Sequence, residues 1–371
     1  MMILITTVFI ASYIILILWL SDSLYKYSKK KNNEIKQYNN PFISIIISAH
    51  NEEKHINSLL DSLINQSYNQ KLYEIILIDD RSNDNTSKLI SNYVNKNIKL
   101  IKINNTPIGW SHKKWALNSG INKAEGEIIL QTDADCIPNQ YWIETMVNAF
   151  TEKNVGFVCG PSPLYSKNKI DHILQLENNA QDAISASGLQ NNIILSCTGR
   201  NLGFLKKKFI DINGYENIEH LKSGDDDLLM HKINKHTKYK LKFILDENAS
   251  VYSYPPNSIN QFIKQRLRFA SKGIFYYKWK ADLTLRIFLP LLYITNLIIT
   301  ISLIQFTSTS NALLLLPWLF KSLSDCYLTY NYCQKINQPW SVYDCLILSI
   351  IHPFYVVIFG VLGPLLKVKW K

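Results

Sequence analysis

Apolar residues are unevenly distributed along this chain, and that segregation limits its possible folds more than any other feature. Met1 to Leu20 is apolar almost throughout, interrupted only by Thr, Ser and Tyr. Twenty helical residues reach about 30 Å, the depth of one bilayer core. Leu283 to Ile304, Ala312 to Tyr330 and Val342 to Leu366 are three more such stretches, all in the C-terminal third. The residues between the two ends have the patterning of a water-soluble domain. A chain of 371 residues, 47% hydrophobic and 19% charged, has room for one large globular domain and a few membrane spans.

The first stretch reads as an uncleaved anchor. No basic residue precedes Lys26, and Ser21-Asp22-Ser23 is a poor small-residue cleavage site. Lys26, Lys29, Lys30 and Lys31 follow it, which places that end in the cytoplasm by the positive-inside rule. Lys321 and Asp325 stand four apart, suited to pairing on one helix face. Pro353 interrupts the last stretch and predicts a re-entrant or hairpin pair, returning the basic tail at Lys367 to Lys371 to the cytoplasm. The expected layout is an anchor over 1–25, a linker over 26–40, a catalytic domain with interfacial helices over 41–280, and a membrane region of about three spans over 281–371.

The net charge is 40 − 29 = +11. No nucleic-acid-binding motif is present and the cations are dispersed, so an anionic membrane surface or a phosphate-bearing substrate accounts for them better. The cysteines at 136, 159, 197, 326, 333 and 345 have no C-x-x-C spacing. They read as reduced cytosolic thiols, with neither a zinc site nor a redox motif.

The middle of the chain alternates strands and helices. Ile43 to Ile47 is a β-branched strand that ends in Ser48-Ala49-His50-Asn51-Glu52-Glu53. Residues 54–66 carry Ile56, Leu59, Leu60 and Leu63 at helical spacing. Tyr73 to Ile78 runs into Asp79-Asp80, and Lys99 to Ile103 is another strand. Ile128 to Leu130 follows a glycine and ends in Asp133-Ala134-Asp135. This order predicts an α/β fold with a mostly parallel sheet and right-handed crossovers. Open sheets of this kind bind ligands at the carboxyl ends of their strands. On an extended chain residues i and i+2 face one way, so Asp133 and Asp135 are expected to share a face. Two hard oxygen ligands there suit Mg2+ or Mn2+, which in turn suit a diphosphate. Gly224-Asp225-Asp226-Asp227 precedes an apolar helix, and Gln265-Arg266-Leu267-Arg268-Phe269 lies on a basic segment leading to the membrane.

Taken in this order and spacing, over roughly residues 41–280, these motifs resemble the membrane-bound family 2 glycosyltransferases, relatives of cellulose, chitin and hyaluronan synthases. The resemblance implies a GT-A nucleotide-diphospho-sugar transferase domain flanked by transmembrane helices. Ala49, His50, Asn51 and Glu52 match the first-strand loop at the nucleotide. Asp79 and Asp80 match the aspartate pair near uracil and ribose. Gly109-Trp110 with Lys113 and Ala116 matches the G-W-x-x-K-x-x-A segment beside the diphosphate, where Lys113 fits better than Lys114. Asp133 and Asp135 match the metal-binding D-x-D, with Asp135 the direct ligand. Asp225-Asp226 stands for T-E-D, with Asp226 in the position of the base. Gln265, Arg266, Arg268 and Phe269 stand for Q-x-x-R-W, which caps the site at the diphosphate and acceptor.

Two departures bear on this. Gly224-Asp225 replaces T-E, and Phe269 replaces tryptophan, keeping an aromatic face without the indole N–H. The implied protein is an integral inner or plasma membrane enzyme with a cytoplasmic catalytic domain. It would be an inverting, metal-dependent hexosyl- or N-acetylhexosaminyltransferase, moving a sugar from a UDP-type donor to a lipid-linked or glycan acceptor. The alternatives are a processive or short-chain polysaccharide synthase, and a nucleotide-sugar-binding membrane regulator without catalysis.

Overall fold

The computed structural model describes residues 2–27, 40–95 and 97–366. They group into two compact units: 40–165 with 196–254, and 2–27 with 166–195 and 255–366. Segments 166–195 and 255–280, which the sequence reading assigns to the catalytic stretch, thus group with the apolar helices.

The first unit is built on a sheet. Its strands are β1 (Ile43–Ala49), β2 (Tyr73–Asp80), β3 (Ile98–Ile103), β4 (Ile128–Gln131), β6 (Val155–Cys159), β7 (Leu202–Leu205) and β8 (Lys240–Phe243), in the order β3-β2-β1-β4-β7-β6-β8. A separate ribbon joins β5 (Cys136–Pro138) to β9 (Val251–Ser253). The helices are α2 (Ile56–Ile64), α3 (Thr86–Ser91), α4 (His112–Lys123), α5 (Trp142–Asn148), α7 (Lys206–Asp211) and α8 (Asp227–His236). β1 and β2 are buried along nearly their whole length, as β-branched strands covered on both faces should be. α2 buries the Ile56, Leu59, Leu60 and Leu63 stripe.

Glu74 is the exception inside β2. Its carboxylate accepts from Ser44 Oγ at 2.6 Å and Glu125 N at 2.7 Å and pairs with Lys99 Nζ at 2.8 Å. Burial by itself would raise its pKa; the Lys99, Ser44 and Glu125 hydrogen bonds outweigh that and lower it.

β1 pairs in parallel with both β2 and β4, with Ala49 opposite Asp79 and Ile46 opposite Gln131. Neighbouring strands lie about 4.8 Å apart, so the acidic ends of β2 and β4 open on one sheet edge about 10 Å apart. The expected parallel arrangement holds for this half. β7, however, runs antiparallel to both β4 and β6, a reversal that the local pattern does not signal.

The second unit contains α1 (Met2–Tyr27), α6 (Lys169–Gln190), α9 (Ile259–Ala270), α10 (Gly273–Lys278), α11 (Leu283–Thr309), α12 (Leu316–Lys335) and α13 (Val342–Leu365). Among the described residues, three helices are long and apolar enough to cross a membrane: Thr6–Tyr27, Leu283–Thr309 and Val342–Leu365. α12 is not among them, because one side of it is polar. Lys321 pairs with Asp325 as the spacing suggests, Asp325 accepts from Tyr13 Oη at 2.9 Å, and Asn331 donates to Ser21 Oγ at 2.8 Å.

Two expectations fail here. α13 continues through Pro353 as one helix, so the hairpin is absent; the basic tail at 367–371 lies outside the described residues. A proline in a spanning helix is tolerated where neighbouring groups satisfy the freed carbonyl. Cys326 and Cys345 form a disulfide between α12 and α13, so these two are not free thiols. They lie 19 positions apart in sequence, and the return of α13 beside α12 brings them together.

Candidate active site

The loops after β1 and β2 are stitched to each other. Asn51 N donates to Ser82 Oγ at 3.0 Å, Asn83 N to Asn51 Oδ1 at 2.8 Å, and Glu52 N to Thr86 Oγ1 at 2.8 Å. Asn51 and Arg81 hold left-handed backbone, with φ of 56° and 60°, a conformation asparagine adopts more readily than arginine. His50 Nδ1 lies 2.6 Å from Asp80 O. Asp79 and Asp80 are buried; Asp79 accepts from Ser82 N at 3.1 Å, and Asp80 pairs with Arg81 at 2.8 Å. Sequence reasoning passed over Arg81, whose partner is simply the residue before it.

The D-x-D does not sit on an extended strand. β4 ends at Gln131, and Asp133 to Asp135 form a turn closed by Cys136 N donating to Asp133 O at 3.2 Å. The argument from strand alternation therefore fails, and the two carboxylates have different surroundings. Asp133 pairs with Lys113 at 2.9 Å, while Asp135 Oδ1 lies 3.6 Å from Cys136 Sγ.

Lys113 joins this turn to the next motif, pairing also with Asp225 at 2.9 Å. Burial opposes its charge, but Asp133 and Asp225 outweigh burial and raise its pKa well above the ordinary lysine value. Burial likewise would raise the pKa of Asp225, and the Lys113 ammonium instead lowers it. Lys113 and Asp225 are therefore both charged through the neutral pH range. Lys114, the competing lysine, is buried and points to backbone carbonyls.

Asp226 is the N-cap of α8. Its carboxylate accepts from Asp227 N at 2.7 Å and from Gly199 N at 2.9 Å. A Cβ on Gly199 would stand 3.2 Å from Asp225 Oδ2, so a side chain at residue 199 would crowd that carboxylate by a few tenths of an ångström. Asp227 is the first residue of α8, as an acidic first turn predicts, but it is buried rather than solvated. Arg200, in the same loop as Gly199, donates to Ser253 Oγ on β9 and reaches Thr198 Oγ1 at 3.3 Å. Its sequence context, a short T-G-R-N loop, carried no signal beyond irregular structure.

The Gln265 motif lies on α9 in the other unit. Helical spacing puts Gln265, Arg268 and Phe269 on one side. Arg266, one residue on, turns away: its guanidinium is buried, paired with Glu177 of α6, and lies 4.8 Å from the Phe262 ring. Tyr355 Oη of α13 donates to the same Glu177 at 2.9 Å. Arg266 thus has a structural engagement in the bundle that its position within the motif does not reveal.

The family profile described as Glycosyl transferase family 2 matches residues 44–212. That span holds the β1 and β2 loops, Lys113 and the D-x-D. Residues 44–212 are a family 2 glycosyl transferase domain. The chain is 30% identical over 134 residues to a Dolichyl-phosphate beta-glucosyltransferase from Dictyostelium discoideum, covering 33% of this chain and 40% of that protein. It is 25% identical over 251 residues to a Dolichyl N-acetyl-alpha-D-glucosaminyl phosphate 3-beta-D-2,3-diacetamido-2,3-dideoxy-beta-D-glucuronosyltransferase from Methanococcus voltae, covering 63% and 73%. The match to the Dictyostelium protein thus spans two fifths of its length. Among solved structures, a mannosyltransferase from Pyrobaculum calidifontis in complex with GDP-Man and Mn2+ superposes with a TM-score of 0.56 at 16% identity, covering 97% of this chain and 98% of that one. The fold of the transferase domain is GT-A.

Among the described residues, no three His, Cys, Asp or Glu side chains gather to hold a metal unaided. Two carboxylates in a turn still fit a hard divalent cation, since Mg2+ is typically bound by one or two carboxylates together with substrate phosphates.

Proposed function

We propose that the chain is an inverting glycosyltransferase that moves a sugar from a nucleotide diphosphate donor, UDP-linked by preference, to a lipid-linked acceptor at a membrane. One observation carries this reading. Lys113 ties the D-x-D to the Asp225-Asp226 loop, next to the sheet edge where Asp79 and Asp80 end β2. On this reading the nucleoside site, the diphosphate site and the base gather around that charged cluster.

In this mechanism the loops carrying Ala49 to Glu52 and Asp79-Asp80 hold the nucleoside. Asp135, with Asp133, would hold Mg2+ or Mn2+, which neutralises the leaving diphosphate when bound. Asp226 takes the proton of the acceptor hydroxyl as that oxygen bonds to the anomeric carbon. The bond from that carbon to the diphosphate oxygen breaks, and the nucleoside diphosphate leaves with the electron pair. With one base and no enzymic nucleophile, the displacement is single and inverts the anomeric centre. The N–H groups of Asp227 and Gly199 keep the Asp226 carboxylate oriented during this step.

The lipid acceptor is supported from two sides. Both curated relatives are named for dolichyl-linked substrates. In this chain, α9 and α10 combine exposed Ile259, Ile263, Phe269, Ile274 and Tyr277 with Lys264, Arg268, Lys272 and Lys278. Apolar and cationic side chains on short helices ahead of a candidate span suit an anionic lipid interface. The catalytic domain is assigned to the cytoplasmic side through Lys26 and Lys29 to Lys31. Gln265, Arg268 and Phe269 are assigned to the diphosphate and acceptor.

The test incubates membranes containing the chain with a panel of nucleotide sugars, with and without chelator, and analyses extracted lipids by mass spectrometry. Organic-phase products shifted by single sugar masses, dependent on a divalent cation, are expected. Long lipid-free chains would refute the acceptor assignment, and no product from any donor would refute the transferase reading.

A further inference from the structure

Two buried lysines outside the proposed mechanism hold the segment that leads to the base. Lys114 is 1% exposed. Its ammonium donates to the carbonyls of Ile218 at 2.7 Å, Leu221 at 2.8 Å and Ser223 at 2.9 Å. An ammonium has three N–H donors, and these three carbonyls match them. Lys232 of α8 donates to Gly214 O at 2.7 Å and Glu216 O at 2.8 Å, nearer the start of the same segment. Ser111 N, at the start of α4, donates to Glu219 O at 2.8 Å.

The segment between Ile212 and Ser223 is a succession of turns with no helix or strand of its own. Asn213, Gly214 and Asn217 have positive φ, left-handed backbone that Asn and Gly adopt most readily. The segment ends at Gly224, whose φ of +85° turns the chain into Asp225 and Asp226. Lys113, adjacent to Lys114 on α4, grips the far end through Asp225. One helix start thus holds the segment along its length and at its exit.

We propose that Lys114 and Lys232 are positioning residues for the transfer reaction. Their ammonium groups spool residues 214–223 and so set where Asp226 stands, without touching donor or acceptor. This rests on the assignment of Asp226 as base given above. A methionine would fill the same stem space with no charge to desolvate. The feature peculiar to lysine here is therefore its ability to gather several carbonyls of an irregular segment around one point.

The test uses the full chain in membranes, with Lys114→Met and Lys232→Gln. A base displaced by about 1 Å is expected to slow turnover by about 100-fold. The donor KM should stay near that of the unaltered chain, because the nucleoside loops and the D-x-D follow β1, β2 and β4 instead. Hydrogen exchange, which needs no activity, should quicken over 214–224 and remain unchanged in β1 and β2. Loosened exchange with unaltered kcat would overturn the proposal, as would a donor KM that rises in step with the loss of kcat. If Lys114→Met does not accumulate folded, Lys232→Gln decides from the other end, and unaltered kcat there refutes it. If the unaltered chain transfers no sugar, the reading of the reaction fails on its own, while exchange still reports whether the lysines hold the segment.

Discussion

Replacing Asp226 with asparagine separates basicity from geometry. Asp226 accepts two N–H groups, from Asp227 at 2.7 Å and Gly199 at 2.9 Å. Asparagine has nearly the same volume but only one acceptor oxygen, so its amide nitrogen must face one of those donors. One partly buried donor loses its partner, which costs about 1–3 kcal/mol of stability. The chemical effect is separate and larger. Loss of a general base lowers turnover by about 10²- to 10⁴-fold, or roughly 3–5 kcal/mol of barrier. Nucleotide affinity depends on loops following other strands, so it should change by no more than about twofold. The assay pairs calorimetric titration of the nucleoside diphosphate with initial transfer rates, using the purified full chain. An Asp226→Asn variant that turns over like the unaltered protein refutes the assignment. So does an inactive but folded Asp225→Asn variant alongside an active Asp226→Asn, which would move the base back by one residue. Asp225→Asn is itself expected to be destabilising, since it breaks the buried pair with Lys113, although Lys113 keeps its pair with Asp133.

Asp135→Ala should abolish transfer while leaving the thermal unfolding midpoint close to that of the unaltered chain, and chelator should do the same reversibly; full activity in chelator would exclude the metal assignment. Glu74→Gln should destabilise the transferase domain by about 2 kcal/mol near neutral pH through its charge-assisted hydrogen bonds, read as a lowered unfolding midpoint. Because the folded pKa of Glu74 is depressed, its contribution is present above the unfolded carboxylate range and lost as pH falls through the lower folded value. The gap between Glu74→Gln and the unaltered chain should therefore close in acid, and a gap that widens there would contradict the depression.

Much of this molecule could be read along one dimension. The β-branched runs at Ile43 and Tyr73, the helical stripe from Ile56 to Leu63 and the apolar ends are local patterns. Burial along a strand or on one helix face writes its period directly into neighbouring residues. The pairing of Lys321 with Asp325 was legible for the same reason, since both partners lie within one helical turn. The acidic motifs could be found because each is contiguous, though their meeting place could not.

What the tertiary structure decided depends on residues distant in sequence. The D-x-D is a turn because β5 pairs with β9, more than a hundred positions on, and so begins right after Asp135. β7 is antiparallel because it pairs between β4 and β6, a choice its own four residues do not encode. Lys113 and Lys114 compete for one role as neighbours on one helix, and the motif favours Lys113 without saying what Lys114 does. They diverge because successive helical residues point about 100° apart, one toward carboxylates and the other toward carbonyls of a segment beginning a hundred residues later. Arg266 and Gln265 part for the same reason. Cys326 meets Cys345, and α13 runs unbroken through Pro353, because of helices packed alongside rather than any local spacing. Periodicity records which side of an element is buried; the partner on that side is supplied only by the closed fold.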